Sequence, residues 1–349
     1  MQSVPPRDRG LLARLGRLLH VGPRIRTTGA ARTRGPITHV IIMDGTMSSL
    51  RAGSETNAGL TYKLCSEAAA GANQLVHYEA GIQWNTWRDA RSVIEGRGIN
   101  RQIYRVYGAL ASRYRPGDRI YLFGFSRGAY AVRSLAGFID KIGLVRADQA
   151  TVRNIRTGYR HYQFDPKSDA ARTFAAKTCH EHVPIEFLGV WDTVSALGIR
   201  WPILWRFSSV FHEFHDNRAS KCVKRAYHAL AYHERRAAYQ PVLFDSNPDA
   251  EGQILQQMWF RGSHGDIGGQ LGRNAKSRKL ANTTLVWMLD KAEAAGLALP
   301  EGWRGRYLAD PHGPSIGMNK GWGKLFILRK SRPTGRDPSE VLHPAIHAD

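Results

Sequence analysis

The chain has 349 residues, 42% of them hydrophobic, and a formal net charge of +21 at pH 7. That length suits one large α/β domain, and the apolar content suffices for a sizeable core, but no run of about 18 apolar residues occurs to span a membrane as a helix. Cys65, Cys179 and Cys222 are odd in number and far apart, which argues against a disulfide framework and against a zinc site. The positive excess favours anionic partners such as acidic lipid headgroups, nucleic acid or phosphorylated substrates.

Residues 1–36 read as a basic, flexible tail, with eight arginines against a single aspartate. Within it Leu11, Leu12, Leu15, Leu18 and Leu19 recur at helical spacing, with Arg14 and Arg17 between them. Such a stretch is a solvated arm, a helix docked on the domain, or a short helix lying on an anionic membrane. It lacks the long apolar core and cleavage site of a secretory signal, so the expected location is the cytoplasm of the producing cell.

A single domain is expected from Ile37 to Asp349. A short apolar run at 40–43 stops at Asp44-Gly45-Thr46, and similar runs at 73–81, 118–124 and 185–192 end in glycine or aspartate, with a weaker one at 254–262. Helical patterns lie near 57–70, 98–114, 127–142 and 278–296. Buried strands alternating with helices predict an α/β fold with a mostly parallel sheet covered on both faces. No internal repeat is visible.

The sharpest motif is Gly124-Phe125-Ser126-Arg127-Gly128, set between a buried strand and a helical apolar face of Val132, Leu135, Ala136 and Ile139. A G-x-S-x-G pattern occurs by chance, and here a chance serine in an ordinary turn is the alternative. In this context it reads as a nucleophile elbow, in which a tight, strained turn projects the Ser126 hydroxyl from the sheet's carboxyl edge. Gly124 and Gly128 are needed because the chain packs closely beside that turn. The Arg127 N–H, at the helix start, is a candidate oxyanion donor. Gly45 and Thr46, after the first strand, are candidates for the other donor. Asp44 either supports the site or simply forms the Asp-Gly turn.

A serine nucleophile needs a base, and the base an orienting acid, in the chain order Ser, acid, His for this fold. Asp192, at the end of the run "FLGVWD", and His264, in the Gly-rich "RGSHGDIGG", satisfy that order. His182, His212, His215, His228 and His233 lie in the same stretch, so position alone does not select His264.

These segments resemble a family of α/β-hydrolase domains that includes the phospholipase effectors of bacterial type VI secretion. The likeness runs in order through Asp44-Gly45-Thr46, Thr56-Asn57, Tyr78 to Gly81, Gly98-Ile99-Asn100, "GDRIYLFGFSRGAYAVRSLAGFI", "VWDTVSALG", "ALAYHERR" and "MWFRGSHGDIGG". It implies an α/β-hydrolase-like fold, Ser126 as nucleophile, Asp192 as acid, His264 as base, and Asp266 as a further catalytic or structural carboxylate. It also implies a lipid ester substrate, no cofactor or metal, and export by type VI secretion. Trp201, Trp205, Phe207, Phe211 and Phe214 follow the acid closely and suit a lid or acyl pocket, or equally a packed core.

Two other classes compete. A strand ending in Asp-Gly-Thr also resembles the opening of haloacid-dehalogenase-type phosphatases, metal-dependent enzymes in which Asp44 would act, but Ile42 stands where they need another aspartate. A non-catalytic protein on the same fold would use its basic surface on membrane or nucleic acid. No specific nucleic-acid motif is present.

Overall fold

In the computed structural model, residues 26–28, 35–81, 97–194, 217–247, 250–272, 274–318 and 328–346 are described. The strands are β1 (Arg26–Thr28), β2 (Thr38–Met43), β3 (Gln74–Glu79), β4 (Arg119–Phe125), β5 (Phe187–Trp191), β6 (Arg225–Ala231), β7 (Ile254–Phe260) and β8 (Glu340–Leu342). The helices used below are α1 (Asn57–Ala68), α2 (Arg97–Ala111), α3 (Arg127–Ile142), α4 (Val152–Phe164), α5 (Asp169–Thr178), α6 (His264–Gly268) and α7 (Arg278–Ala294). The eight strands form one sheet in the order β1-β3-β2-β4-β5-β6-β7-β8. Only β1 runs antiparallel to its neighbour.

Successive side chains of a strand point to opposite faces, so a strand apolar in both registers requires cover on both sides. In β4, Ile120 and Leu122 join a core packed by α2, α3, α4 and α5. Tyr121, Phe123 and Phe125 join the opposite core, packed by α1 and α7. In β2, Ile41 and Met43 face the first core, and Val40 and Ile42 the second. This is the expected α/β-hydrolase-like layering.

Three strands depart from the sequence reading. Arg26–Thr28 lies in the stretch read as a tail, yet it pairs with Val76–Tyr78 at the sheet edge. β6 and β8 have no counterpart among the predicted runs; β6 nevertheless sits inside the sheet, between β5 and β7. Residues 1–25 and 195–216 lie outside the described residues, so the leucine stripe and the aromatics from Trp201 to Phe214 are not placed. Among the described residues no helix is long and apolar enough to cross a membrane.

From β2 the chain moves to β3 on one side, whereas β4 lies on the other. The carboxyl ends of β2 and β4 therefore flank a topological switch point, where open parallel sheets form their ligand crevices. Asp44 follows β2, Ser126 follows β4 and Asp192 follows β5 on this same edge.

Candidate active site

Ser126 stands between β4 and α3 with φ 57° and ψ −119°, a conformation rare outside glycine. The two glycines of the elbow are required by close approach. A Cβ on Gly128 would lie 2.1 Å from the Met43 carbonyl oxygen, and one on Gly124 would lie 2.6 Å from the Ala129 Cα. Ser126 is thereby forced against the end of β2, nearly buried at 7% exposure.

His264 opens α6 and Asp192 follows β5. His264 Nε2 is 2.9 Å from Ser126 Oγ, and His264 Nδ1 is 2.6 Å from Asp192 Oδ2. With the proton on Nδ1, the ring donates to the carboxylate and Nε2 accepts from the serine hydroxyl. The ring packs against Phe125 and Tyr239, with centroids 4.9 and 4.7 Å away. Its backbone N–H donates to Glu234 Oε2 at 3.1 Å, and Glu234 in turn accepts from Arg236.

The competing histidines go elsewhere. His228 is buried in β6, where its Nε2 accepts from the Thr193 N–H at 3.1 Å. Burial pushes its pKa down to about 3, so it is neutral. His233 Nδ1 accepts from the Gly262 N–H, and His182 is exposed. His212 and His215 lie outside the described residues.

Asp192 has φ 42° and is fully buried. Its Oδ1 accepts from the Ala231 N–H at 3.0 Å. Arg332, which sequence reasoning missed, grips both oxygens: Nη1 is 2.6 Å from Oδ1 and Nη2 is 3.0 Å from Oδ2. Burial alone would raise the Asp192 pKa. The Arg332 charge, with the hydrogen bond and charge of His264, overrides it and holds the carboxyl well below the usual range.

The oxyanion candidates separate. Among the described residues nothing accepts from the Arg127 N–H, a first-turn donor left over by helix geometry. Thr46 N–H is likewise unengaged among them. Gly45 is adjacent, since a Cβ placed on it would lie 3.4 Å from the Ser126 Cβ. Its N–H, however, donates to Asp44 Oδ1 at 2.7 Å. Of the two expected donors after β2, the Gly45 amide is thus engaged by the Asp44 side chain, which competes for its neighbour's N–H, and the Thr46 amide is not.

Asp44 is a hub of the turn. Its Oδ2 accepts from Thr56 Oγ1 at 2.6 Å and Tyr78 Oη at 2.7 Å. Thr56 also caps α1 by accepting from the Gly59 N–H. The neighbours are hydroxyl and amide donors rather than the second carboxylate that a phosphatase would need. Burial raises the Asp44 pKa to about 6, against hydrogen bonds from Thr56, Tyr78, Gly45 and Ser48 that lower it. Because this folded value exceeds the unfolded one, the group's stabilising contribution is complete below the ordinary value of 3.8 and is lost as pH rises through about 6. Asp44→Asn should therefore flatten the stability–pH curve across that window, as read from urea midpoints. An unaltered slope would assign it to other groups.

Asp266 is tied up structurally. Its Oδ2 accepts from Ser263 N–H and Oγ at 2.8 Å each and from Ser315 Oγ at 2.5 Å; its Oδ1 accepts from Ile316 N–H at 2.9 Å. It thus locks the start of α6, and with it His264, to the 315–317 segment.

Comparison with known proteins bears on this arrangement. The sequence profile of the type VI secretion phospholipase effector Tle1-like catalytic domain matches residues 38–291. The chain belongs to this family. An alignment covering 63% of this chain is 26% identical to the uncharacterized protein YEL023C of Saccharomyces cerevisiae and spans 36% of that protein. Among solved structures, the Tle1 effector bound to the VgrG spike of a type 6 secretion system aligns at 18% identity and TM-score 0.38, over 69% of this chain and 52% of that one. An uncharacterized protein from Pseudomonas aeruginosa aligns at 16% identity and TM-score 0.44, over 79% and 49%. The chain thus spans between about a third and a half of the length of these relatives. The Tle1-like match runs from β2 into α7 and stops short of Arg332.

Proposed function

We propose that this chain is a serine esterase of the lipase and phospholipase class, acting through Ser126, His264 and Asp192. The observation that carries this reading is the continuous hydrogen-bonded line from Ser126 Oγ through His264 to Asp192 at the switch point of the sheet. Ser126 Oγ attacks the ester carbonyl carbon while His264 Nε2 takes the hydroxyl proton. The carbonyl oxygen gains the negative charge and accepts from the Arg127 and Thr46 N–H groups. The imidazolium, stabilised by anionic Asp192, returns its proton to the leaving alkoxide. Water then repeats the sequence on the acyl-enzyme and releases the carboxylic acid.

Family membership and charge support a lipid substrate with an anionic headgroup. The Arg127 side chain follows the nucleophile directly; its surroundings are set by burial and by Tyr239, with no carboxylate acting on it among the described residues, so it offers a counter-charge to a phosphate. Delivery by type VI secretion is part of the same reading, by membership alone. The test is a fluorophosphonate probe together with fatty-acid release from phosphatidylglycerol vesicles. Wild type should label and release acid, and Ser126→Ala should do neither. Vesicle binding without labelling would favour the non-catalytic alternative instead.

Peripheral contact with an anionic membrane is proposed from the net charge of +21. Each basic side chain near such a surface contributes about 1 kcal/mol, fading over a Debye length. Residues 2–25 hold five arginines and the leucine stripe. Their deletion, which spares β1, should weaken binding to anionic vesicles and leave turnover of a soluble short-chain ester unchanged. Equal vesicle binding by the shortened chain would make the segment a bystander.

A further inference from the structure

Four donors converge on the carboxylate of Asp192. Oδ1 receives Arg332 Nη1 and the Ala231 N–H; Oδ2 receives Arg332 Nη2 and His264 Nδ1. Both the Asp192 and Arg332 side chains are 0% exposed. The remaining bonds of the guanidinium hold it in place, with Nη1 donating to Ala231 O at 2.9 Å and Nη2 to Tyr239 O. The backbone that carries it is laced to the loop after β6. Ala237 N–H donates to Leu328 O at 2.9 Å, and Lys330 N–H to Arg235 O at 2.7 Å. A planar fork meeting a carboxylate with two parallel bonds fixes both its plane and its charge state.

We propose that Arg332 is a positioning residue of the active site, orienting the Asp192 carboxylate toward His264 and offsetting part of its negative charge. This rests on the serine-esterase reading of Ser126, His264 and Asp192. It adds a residue from beyond the matched 38–291 segment, so the working device extends past the family domain.

The electrostatic consequence has a definite sign. An imidazolium beside a bare carboxylate is more stable than one beside a carboxylate already paired with a guanidinium. Removing the Arg332 charge therefore makes His264 a stronger proton acceptor in the resting enzyme. The neutral imidazole that can take the serine proton is then populated only at higher pH. The other charged or titratable groups around His264 keep their roles in this comparison. Glu234 accepts from its N–H and is paired with Arg236, which lies over the Tyr239 ring. Tyr239 packs on the imidazole, Asp266 is held by its four donors, Arg127 is close to Tyr239, and His228, facing Asp192 from β6, is neutral.

The experiment uses the full chain with Arg332→Gln, Arg332→Met and Arg332→Lys, each checked for folding by circular dichroism and thermal melting. Two neutral variants are included so that one misfolded protein does not decide the matter, and the lysine variant retains the charge. The first readout is the pH profile of kcat/KM on a soluble p-nitrophenyl ester. The second is the imidazole titration of His264 by nitrogen NMR, which needs no turnover. In the neutral variants the acid limb and the imidazole titration should both move up by about one pH unit, while Arg332→Lys stays near wild type at reduced kcat. A folded neutral variant whose His264 titrates as in wild type overturns the proposal, as does a lysine variant that shifts as far as the neutral ones. Ser126→Ala is run beside them. If it hydrolyses the ester like wild type, the serine mechanism fails, and the NMR titration still decides the role of Arg332.

Discussion

Ser126→Ala should lower turnover of a soluble ester by about three orders of magnitude or more, with the fold intact. The side chain removed is one hydroxyl, which bonds to His264 at 2.9 Å. Alanine keeps the backbone of the elbow and creates almost no cavity. His264→Ala should be about as inactive, and the double variant no worse than either, because parts of one device do not add. The measurements are initial rates on p-nitrophenyl butyrate and thermal melting of each variant. A folded Ser126→Ala enzyme with near-wild-type rates would refute the mechanism. Independent, multiplying losses for the two single variants would mean that Ser126 and His264 act separately despite their contact.

The second large effect is on stability. Gly128→Ala adds one methyl group where the Met43 carbonyl oxygen would be 2.1 Å away, its carbon 2.5 Å and the Asp44 oxygen 2.6 Å. All three are backbone atoms of the strand end that forms the site, so no side chain can swing aside. The ends of β2 and α3 must separate, which breaks packing between Met43 and the first turn of α3. A loss of about 3 kcal/mol or more is expected, comparable to severe overpacking in a core. Urea unfolding with linear extrapolation measures it. A Gly128→Ala protein within about 0.5 kcal/mol of wild type would mean that the elbow tolerates a wider approach than its geometry indicates.

The layering and the elbow were legible because β2 and β4 are buried on both faces and so spell unbroken apolar runs. β6 was not legible for a physical reason. Its His228 interrupts the apolar pattern, and its burial is tolerated because Thr193 and Gln257 supply partners that no local pattern announces. β1 and β8 are three-residue strands, too short to impose any periodicity. α4, which is not among the predicted helices, buries only Ile155, Gly158 and Tyr162, a thin stripe among many charged and polar residues. At the site, strand context and chain order pointed to Ser126 and Asp192 and family resemblance to His264, and the folded chain brings these three side chains together. Arg332 lies in "LRKSRPTGRD", which reads as solvated charge; only the folded chain brings it to Asp192. The oxyanion reading missed that Asp44 captures the Gly45 amide, a competition between side chain and backbone within one turn.

The order in which the site's parts occur along the chain has a consequence for the protein's birth. Ser126 and His264 are separated by 138 positions, and Asp192 and Arg332 by 140. At about 5–20 residues per second of synthesis, the elbow leaves the ribosome roughly ten to forty seconds before Arg332 does. Throughout that interval the nascent chain carries its nucleophile without the complete set of partners proposed to activate it. The proposed site therefore stays incomplete until synthesis has passed residue 332.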